Sequence, residues 1–440
     1  MRSSSFPRVV AAVGVALICV AVLANQSWLD RHFLPSFFVP RRWYVWIESI
    51  VRICIAAIGV MLVFARGWVA RLLTHAPALT LQVVVAAALA VGAGEYAVRW
   101  IHLRPTGWLH AQAEPLRQKD PYLGWVLVPK RASRATVGNR VVDYATDPDG
   151  YRVRRVDAPV DRERPTIVFG GESVMFGEGL TWEESIPAQV EARLGVQSAN
   201  LAVHGYSTDQ IYLRLARELP RFQRPVAVVT IFMTELVGRN LDDDRPHLGP
   251  GLAWLPAQRQ PRLLAMATWL VPFRRVSTVD RGIEITREAL DAIVRLARVR
   301  GATPLVVVPQ LGAEDGELRA LRERVLKSDL PTVLVPLAGE WRLPGNLHPN
   351  AHAAEVIAAA IAARLGTGVP SHPPAGSDNA GDINGGVRLS MLTGEMNARL
   401  RYSGLHLLLQ EMACGISGRR SSSRWSSRRR WEARHPARSR

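Results

Sequence analysis

The chain has 440 residues, of which 48% are hydrophobic and 21% charged, and its formal net charge is +17. This composition excludes a wholly disordered protein and leaves room for a membrane segment and one globular domain of about 100–200 residues. Much of the charge is terminal, because the last 22 residues hold nine arginines and one glutamate and so contribute +8. The charge therefore does not predict a specific nucleic-acid partner for the rest of the chain.

Three apolar runs precede any globular pattern, at residues 9–24, 44–65 and 79–98. Their lengths are close to the roughly 20 residues that a helix needs to cross a bilayer. The first run follows Arg2 and Arg8 and fits either a transmembrane helix or the apolar region of a cleaved signal peptide. In the second, Glu48 and Arg52 are spaced to pair on one helix face. We assign residues 1–104 to a membrane segment with about three transmembrane helices.

The number of spans predicts the topology. With a cytoplasmic amino terminus, three crossings place everything after Trp100 on the outer, periplasmic or extracytoplasmic, face, and cleavage after Ala24 gives the same result. The lipid bilayer is therefore an expected partner. Cysteines occur at 19, 54 and 414 without the spacing of a disulfide framework or a zinc site, so we expect neither, and buried thiols for the first two. We also expect no metal and no cofactor.

An alternation of short apolar strands and amphipathic helices follows. Residues 105–164 read as a linker and a small β extension, with strand patterns at 120–129 and 140–153. The candidate strands of the main domain, 165–366, are 166–170, 199–203, 226–233, 303–309 and 332–336. Because these strands are apolar on both faces, the pattern predicts an α/β fold, a three-layer α/β/α doubly wound domain with a five-stranded parallel sheet.

Two segments fall outside this alternation. Residues 240–280 hold several prolines and tryptophans without a strand pattern, and we interpret them as an insertion or lid over the carboxyl edge of the sheet. Residues 367–440 are rich in Pro, Gly, Ser and then Arg, which is typical of a disordered basic tail. That composition also fits a misread reading frame or a tail that binds anionic lipid or nucleic acid.

A candidate nucleophile stands where the first strand ends. Two glycines and Glu172 precede Ser173, and a serine at such a turn lies beside backbone N–H groups that can hold an oxyanion. A serine after glycine is also common in a plain turn or helix cap. The sequence blocks around Ser173 favour a nucleophile over a serine in a plain turn or helix cap.

Four blocks in chain order resemble the SGNH/GDSL hydrolase family: GGESVMFGEGL, NLAVHGYSTDQ, TIFMTEL and NLHPNAHA. They span about two hundred residues, and the resemblance implies an SGNH, flavodoxin-like fold. Carried over to this chain, it implies that Ser173 is the nucleophile and that His348 is the base. It also implies that Ser173, Gly205 and Thr234 form the oxyanion hole.

This chain departs from the family pattern at three positions. Glu172 replaces an aspartate, and Thr234 and Glu235 stand where the third block usually has Asn and Asp. The acid expected two or three residues before His348 is missing, because Asn346 is there. Asn346 can accept from the imidazole but carries no charge, and Glu340 is the nearest acid that could substitute.

Three further polar residues near these blocks have ordinary structural readings. We interpret His352 as a surface residue, His204 as a residue that either faces the pocket or packs in the core, and Asp209 as a carboxylate in the first turn of a helix.

The sequence therefore predicts a membrane-anchored serine esterase or acyl-transfer enzyme acting on O-acyl esters of a small molecule or of cell-envelope polysaccharide. The alternative is a catalytically weak or inactive SGNH-like domain that binds glycan or an assembly partner. A third class, a basic adaptor at a membrane surface or on nucleic acid, depends on the tail alone.

Overall fold

The computed structural model describes residues 5–25, 28, 41–75, 77–101, 114–258, 261–270, 276–326 and 329–366. The chain divides into two units, Met1–Ser371 and His372–Arg440, and every described residue belongs to the first. The tail predicted at 367–440 lies outside the described residues.

The described residues of the amino-terminal segment include four helices: α1 (Phe6–Leu23), α2 (Arg41–Phe64), α3 (Arg66–His75) and α4 (Pro77–Trp100). Within the described chain, three stretches have the length and hydropathy of membrane-spanning helices, namely α1, Val45–Phe64 in α2, and α4. The thiols of Cys19 and Cys54 are free and exposed, so the expectation of buried thiols was wrong. Both cysteines lie on apolar helices that leave many of their hydrophobic side chains exposed.

Helices α1 and α2 approach closely at two glycines. A Cβ added to Gly14 would lie 2.6 Å from the carbonyl oxygen of Gly59, and one added to Gly59 would lie 2.7 Å from that of Gly14. The Arg52 side chain of α2 donates to the carbonyl of Ala21 in α1, so its charged group has a polar partner on the neighbouring helix. This crossing uses small residues, as helix contacts in membranes commonly do.

Helix α4 contacts a helix from the predicted insertion. The two carboxylate oxygens of Glu95 accept hydrogen bonds from the backbone N–H groups of Arg262 (2.8 Å) and Leu263 (2.9 Å). These residues begin α9 (Arg262–Leu270), and the first N–H groups of a helix have no partner within it. Glu95 also pairs with Arg99 at 2.6 Å. An acid at the end of an apolar helix therefore caps another helix.

The remaining helices of the described chain are α5 (Ser173–Phe176), α6 (Ile186–Leu194), α7 (Thr208–Glu218), α8 (Glu235–Arg239), α10 (Val276–Val299), α11 (Gly316–Val325) and α12 (Ala351–Gly366). The strands are β1 (Arg117–Asp120), β2 (Gly124–Leu127), β3 (Ala132–Val137), β4 (Arg140–Thr146), β5 (Arg152–Val153), β6 (Pro165–Gly170), β7 (Gln197–Asn200), β8 (Arg224–Ile231), β9 (His247–Leu248), β10 (Trp254–Leu255), β11 (Thr303–Leu311) and β12 (Thr332–Leu337).

Eight strands form one mixed sheet in the order β12-β11-β8-β6-β7-β5-β4-β3. Neighbours from β12 to β7 are parallel, and β5, β4 and β3 continue the sheet as antiparallel strands. The predicted α/β class is confirmed. The sequence predicted a five-stranded parallel sheet with the β extension outside it; the structure instead joins part of that extension to the edge of the sheet through β5 and β7.

The chain order within the parallel strands places a topological switch between β6 and β8. The chain passes from β6 outward to β7 and then returns to β8 on the other side of β6. Doubly wound sheets bind ligands at such a point, beyond the carboxyl ends of the strands. Residues following β6, β7 and β8 are therefore the candidates for a functional site.

Helices cover the sheet in pairs. Strand β6 is buried along nearly its whole length, which requires cover on both faces. Helix α6 packs with α12, and α7 packs with α10. The core contains Ile167, Phe169, Val229 and Ile357, each with no more than 1% of its surface exposed.

The segment predicted as a lid at 240–280 contains the short antiparallel pair β9 and β10 as well as α9. Its first part is fixed to the start of α7, because Arg245 forms a buried ion pair with Asp209 at 3.0 Å. The Leu248 N–H also donates to that carboxylate. Asp209 therefore fastens the insertion in addition to lying in the first turn of α7.

Candidate active site

The turn after β6 presents Ser173 at the first position of α5, with Glu172 as the residue that caps this helix. Gly171 allows the turn to be tight, because a Cβ added there would lie 2.3 Å from Cβ of Met175. Ser173 consequently stands at the carboxyl edge of β6, beside the switch point of the sheet. Its side chain is almost completely buried.

His348 comes from a loop between β12 and α12 that closes on itself. Residues Arg342 and Pro349 form a β-bridge, and the Leu343 N–H donates to the carbonyl of His348 at 2.8 Å. The Arg342 guanidinium donates to the carbonyl of Leu347. These bonds fix the backbone on both sides of His348, so the direction of its ring is determined by the loop.

Ser173, His348 and Asn346 form a chain of hydrogen bonds. The Ser173 Oγ lies 2.8 Å from Nε2 of His348, and Nδ1 of His348 lies 2.6 Å from Oδ1 of Asn346. That amide oxygen also accepts from the backbone N–H of His348. Because an amide oxygen only accepts, Nδ1 carries the proton in the neutral imidazole. Nε2 is then free to accept the proton of Ser173, as a general base requires.

Burial governs the charge of His348. Loss of hydration lowers the pKa of the imidazole from its ordinary value, and the nearby carboxylates of Glu178 and Glu172 act in the opposite direction. The neutral form is therefore favoured at neutral pH. This is the protonation state in which the ring can accept a proton.

Glu172 contacts the candidate nucleophile directly. One carboxylate oxygen accepts from Ser173 Oγ and the other accepts from the Val174 N–H at 3.0 Å. The serine has a single hydroxyl proton, so Glu172 and His348 compete for it in the free protein. The Glu172 side chain thus both caps α5 and accepts a hydrogen bond from the hydroxyl of Ser173.

Glu178 and His204 are part of the site, and the sequence did not single out Glu178. Its Oε2 lies 2.6 Å from Nδ1 of His204 and 3.5 Å from Nε2 of His348. The glutamate belongs to the first family-like block, five residues after Ser173, but its approach to His348 depends on a loop far away in sequence. His204, for which two readings were open, faces this carboxylate and also packs on the Phe176 ring.

The two other candidate oxyanion donors follow the neighbouring strands. Gly205 has a φ of +76°, and the Val203 N–H just before it donates to the carbonyl of Gly171 at 3.1 Å. Thr234 is the residue that precedes α8, while Thr230 of β8 pairs with Gly170 of β6. These pairings bring the segments to one edge of the sheet, and the donor roles of Gly205 and Thr234 stay predictions.

The alternative acid and base residues lie elsewhere. Glu340 is solvent-exposed, and the Nδ1 that it was to orient is bonded to Asn346. His352 is 55% exposed and lies 3.7 Å from Glu355 on α12, in agreement with a surface role. Among the described residues, no cluster of three or more His, Cys, Asp or Glu side chains could hold a metal ion.

No protein-family model and no curated protein matches this chain. Solved structures do match, and GDSL-family lipolytic proteins and carbohydrate esterases are among them. A member of the lipolytic protein G-D-S-L family from Veillonella parvula DSM 2008 is 13% identical, with a TM-score of 0.29, over 46% of this chain and 99% of that chain.

A family two carbohydrate esterase from Clostridium thermocellum, solved in complex with cellohexaose, is 13% identical with a TM-score of 0.31, over 48% of this chain and 66% of that one. A GDSL-like lipase from Bacteroides thetaiotaomicron VPI-5482 is 15% identical with a TM-score of 0.27, over 48% of this chain and 92% of that one. Similarity this low carries no information about substrate or activity.

Proposed function

We propose that this protein is a membrane-anchored serine esterase or acyl-transfer enzyme of the SGNH type that acts on O-acyl esters. The observation that carries the proposal is the chain of hydrogen bonds from Ser173 through His348 to Asn346, at 2.8 and 2.6 Å. A buried serine bonded to the unprotonated nitrogen of a neutral imidazole is the arrangement that activates an alcohol nucleophile.

In the proposed reaction, Nε2 of His348 takes the hydroxyl proton while Ser173 Oγ attacks the ester carbonyl. The backbone N–H groups of Ser173 and Gly205, with the Thr234 hydroxyl, stabilise the oxyanion. His348 then returns the proton to the departing alkoxide, which leaves the acyl group on Ser173. A water molecule or an acceptor hydroxyl removes this group in the second half of the cycle.

We place the substrate on the outer face, because three helices are long and apolar enough to span a membrane and an odd number of crossings puts the following domain opposite the amino terminus. Esters of cell-envelope polysaccharide are the substrate class that this location would offer. The acyl acceptor decides between hydrolysis and transfer, and either reaction uses the same covalent intermediate.

The test uses the full chain in detergent or nanodiscs. We expect a fluorophosphonate probe to label the wild type and short-chain aryl esters to be hydrolysed, with both activities lost in Ser173→Ala and His348→Gln. Label elsewhere than on Ser173, or equal turnover by Ser173→Ala, would contradict the proposal. Melting curves of the two variants show whether the fold is retained.

A second candidate function is favoured by specific observations. The group at Nδ1 of His348 is a neutral amide, and Glu172 holds the hydroxyl of Ser173. Both features lower reactivity and fit a glycan-binding domain. In that case, Ser173→Ala would leave glycan binding unchanged, and the fluorophosphonate probe would not react with the wild type.

A further inference from the structure

A carboxylate lies near Nε2 of His348, the ring nitrogen that faces Ser173. This chain has Asn346 at the position where SGNH hydrolases carry the acid that orients the histidine. Glu178 Oε2 is 3.5 Å from Nε2 of His348 and 2.6 Å from Nδ1 of His204. Its side chain is only 13% exposed. A charged group this poorly hydrated is costly unless its partners compensate for the lost water, so its position between two imidazoles needs an explanation.

The backbone of Glu178 is tied to that of the candidate nucleophile. The Glu178 N–H donates to the carbonyl of Ser173 at 3.0 Å. The buried guanidinium of Arg152, in β5, donates to the carbonyls of Phe176 and Gly177 on the turn that carries Glu178. The carboxylate therefore has a fixed position relative to Ser173, and the antiparallel edge of the sheet contributes to holding it.

His204 fixes the other side of Glu178. Burial lowers the pKa of the His204 imidazole, so the neutral ring is favoured. Since Nδ1 faces a carboxylate, this nitrogen carries the ring proton and donates it to Glu178. The carbonyl of His204 accepts from the Trp125 indole at 3.0 Å, which anchors the backbone of the histidine. His204 thus donates a hydrogen bond to Glu178 and fixes the position of its carboxylate.

The reaction in the proposed function creates a charge that Asn346 cannot balance. When Ser173 loses its proton, His348 becomes an imidazolium, and the amide at Nδ1 offers a dipole but no negative charge. In a serine protease, replacing the corresponding aspartate by asparagine costs about 10⁴ in rate. A carboxylate near the other nitrogen would supply part of the missing stabilisation.

We infer that Glu178 is a positioning residue whose negative charge stabilises the protonated form of His348 from the Nε2 side, in place of the missing triad acid. This inference rests on the proposed function. Glu178 takes no proton in the cycle: the proton passes from Ser173 Oγ to Nε2 and then to the departing alkoxide, as the new Oγ–acyl bond forms and the ester C–O bond breaks.

Several charges face His348, and their directions are consistent with this role. Glu178 and Glu172 raise the pKa of His348, with Glu178 the larger, whereas burial, His204 and Arg239 lower it. Removing the charge of Glu178 should therefore lower the pKa of His348. Because a general base must be unprotonated, the acidic limb of the rate profile should move to lower pH.

The decisive variant is Glu178→Gln in the full chain, measured by kcat and kcat/KM for an aryl ester across the range in which imidazole titrates. We expect kcat on the plateau to fall at least about tenfold, with the acidic limb lower by about one pH unit. KM should change little, because the charge acts on the transition state. In Glu178→Asp, which keeps the charge, the acidic limb should lie close to its wild-type pH.

Glu355→Gln is the matched control, since it removes a carboxylate beside another histidine, His352, at the protein surface. It should leave both the plateau and the limb unchanged. If Glu178→Gln has the same plateau kcat and the same acidic limb of the pH–rate profile as the wild type, the inference is overturned. If that variant does not fold, Glu178→Met, which removes the charge with a side chain of similar length, takes its place. A wild-type acidic limb in that variant would overturn the inference as well.

A readout without substrate separates this inference from the proposed function. The ¹⁵N shift of the His348 imidazole, assigned with His348→Gln, gives its pKa in wild type and in Glu178→Gln. If the fluorophosphonate probe does not label Ser173 in the wild type, the proposed function is contradicted, even when the imidazole titration shifts as expected. If Ser173 is labelled but the pKa of His348 is the same in Glu178→Gln, only the role of Glu178 is contradicted.

Discussion

At the residue scale, Asn346 limits the proposed reaction, because its neutral amide stands where a triad acid would carry a negative charge. Its Oδ1 already accepts from both the ring and the backbone N–H of His348, so the geometry of a triad acid is present without its charge. Asn346 is only half-buried. A carboxylate there would not need to be fully dehydrated.

We predict that Asn346→Asp raises kcat for aryl esters by about tenfold or more, because an anion at Nδ1 stabilises the imidazolium. The acidic limb should move to higher pH, since the added charge raises the pKa of His348. Steady-state kinetics across pH measure both effects, with Asn350→Asp in the same loop as a control. A slower Asn346→Asp enzyme with an intact fold would contradict the prediction.

At the element scale, the contact between α1 and α2 depends on the absence of side chains at Gly14 and Gly59. We predict that Gly59→Leu destabilises the packing of α1 against α2 by about 1–3 kcal/mol, because the added atoms would overlap the α1 backbone. Thermal unfolding in detergent measures the change. Gly92→Leu on α4 is the matched control, since nothing lies within 4 Å of a Cβ added there; equal losses in the two variants would refute the crossing.

The start of α9 depends on Glu95, whose carboxylate accepts from the N–H groups of Arg262 and Leu263. Removing a capping oxygen costs a helix about 0.5–2 kcal/mol. We predict that Glu95→Ala speeds tryptic cleavage after Arg262, as followed by mass spectrometry. Arg99→Gln, which keeps the capping carboxylate, should be cleaved more slowly than Glu95→Ala. Equal cleavage of both would argue against the cap.

At the scale of the whole molecule, the three helices long and apolar enough to span a membrane predict the side on which the candidate site lies. We predict that a fluorescent protein that matures only in the cytoplasm stays dark when fused after Gly366. The same reporter fused after Phe64, beyond the second span, should be bright. A bright fusion after Gly366 would reverse the topology and remove envelope polysaccharide as the substrate class.

Local signals were enough for part of this architecture. Strands apolar on both faces predicted the α/β class, and the long apolar runs predicted the helices that could span a membrane. The turn before Ser173 made it a candidate nucleophile, and the resemblance of the blocks around Ser173 and His348 to those of SGNH hydrolases named both residues. The distance of 2.8 Å between their side chains follows from where the strand ends meet.

Tertiary structure decided the rest, because it depends on pairings between distant segments. The β extension joins the main sheet through the pairing of Arg152 with Asn200. The sequence around either residue does not predict this partner. Glu178 reads as part of a turn until the folded chain sets it beside His204 and His348. The sequence by itself determined the α/β class, most strands of the main sheet and the helices that are apolar and long enough to span a membrane. Only the fold decided which charge faces the histidine, because electrostatic interactions depend on distance in space and not on separation along the chain.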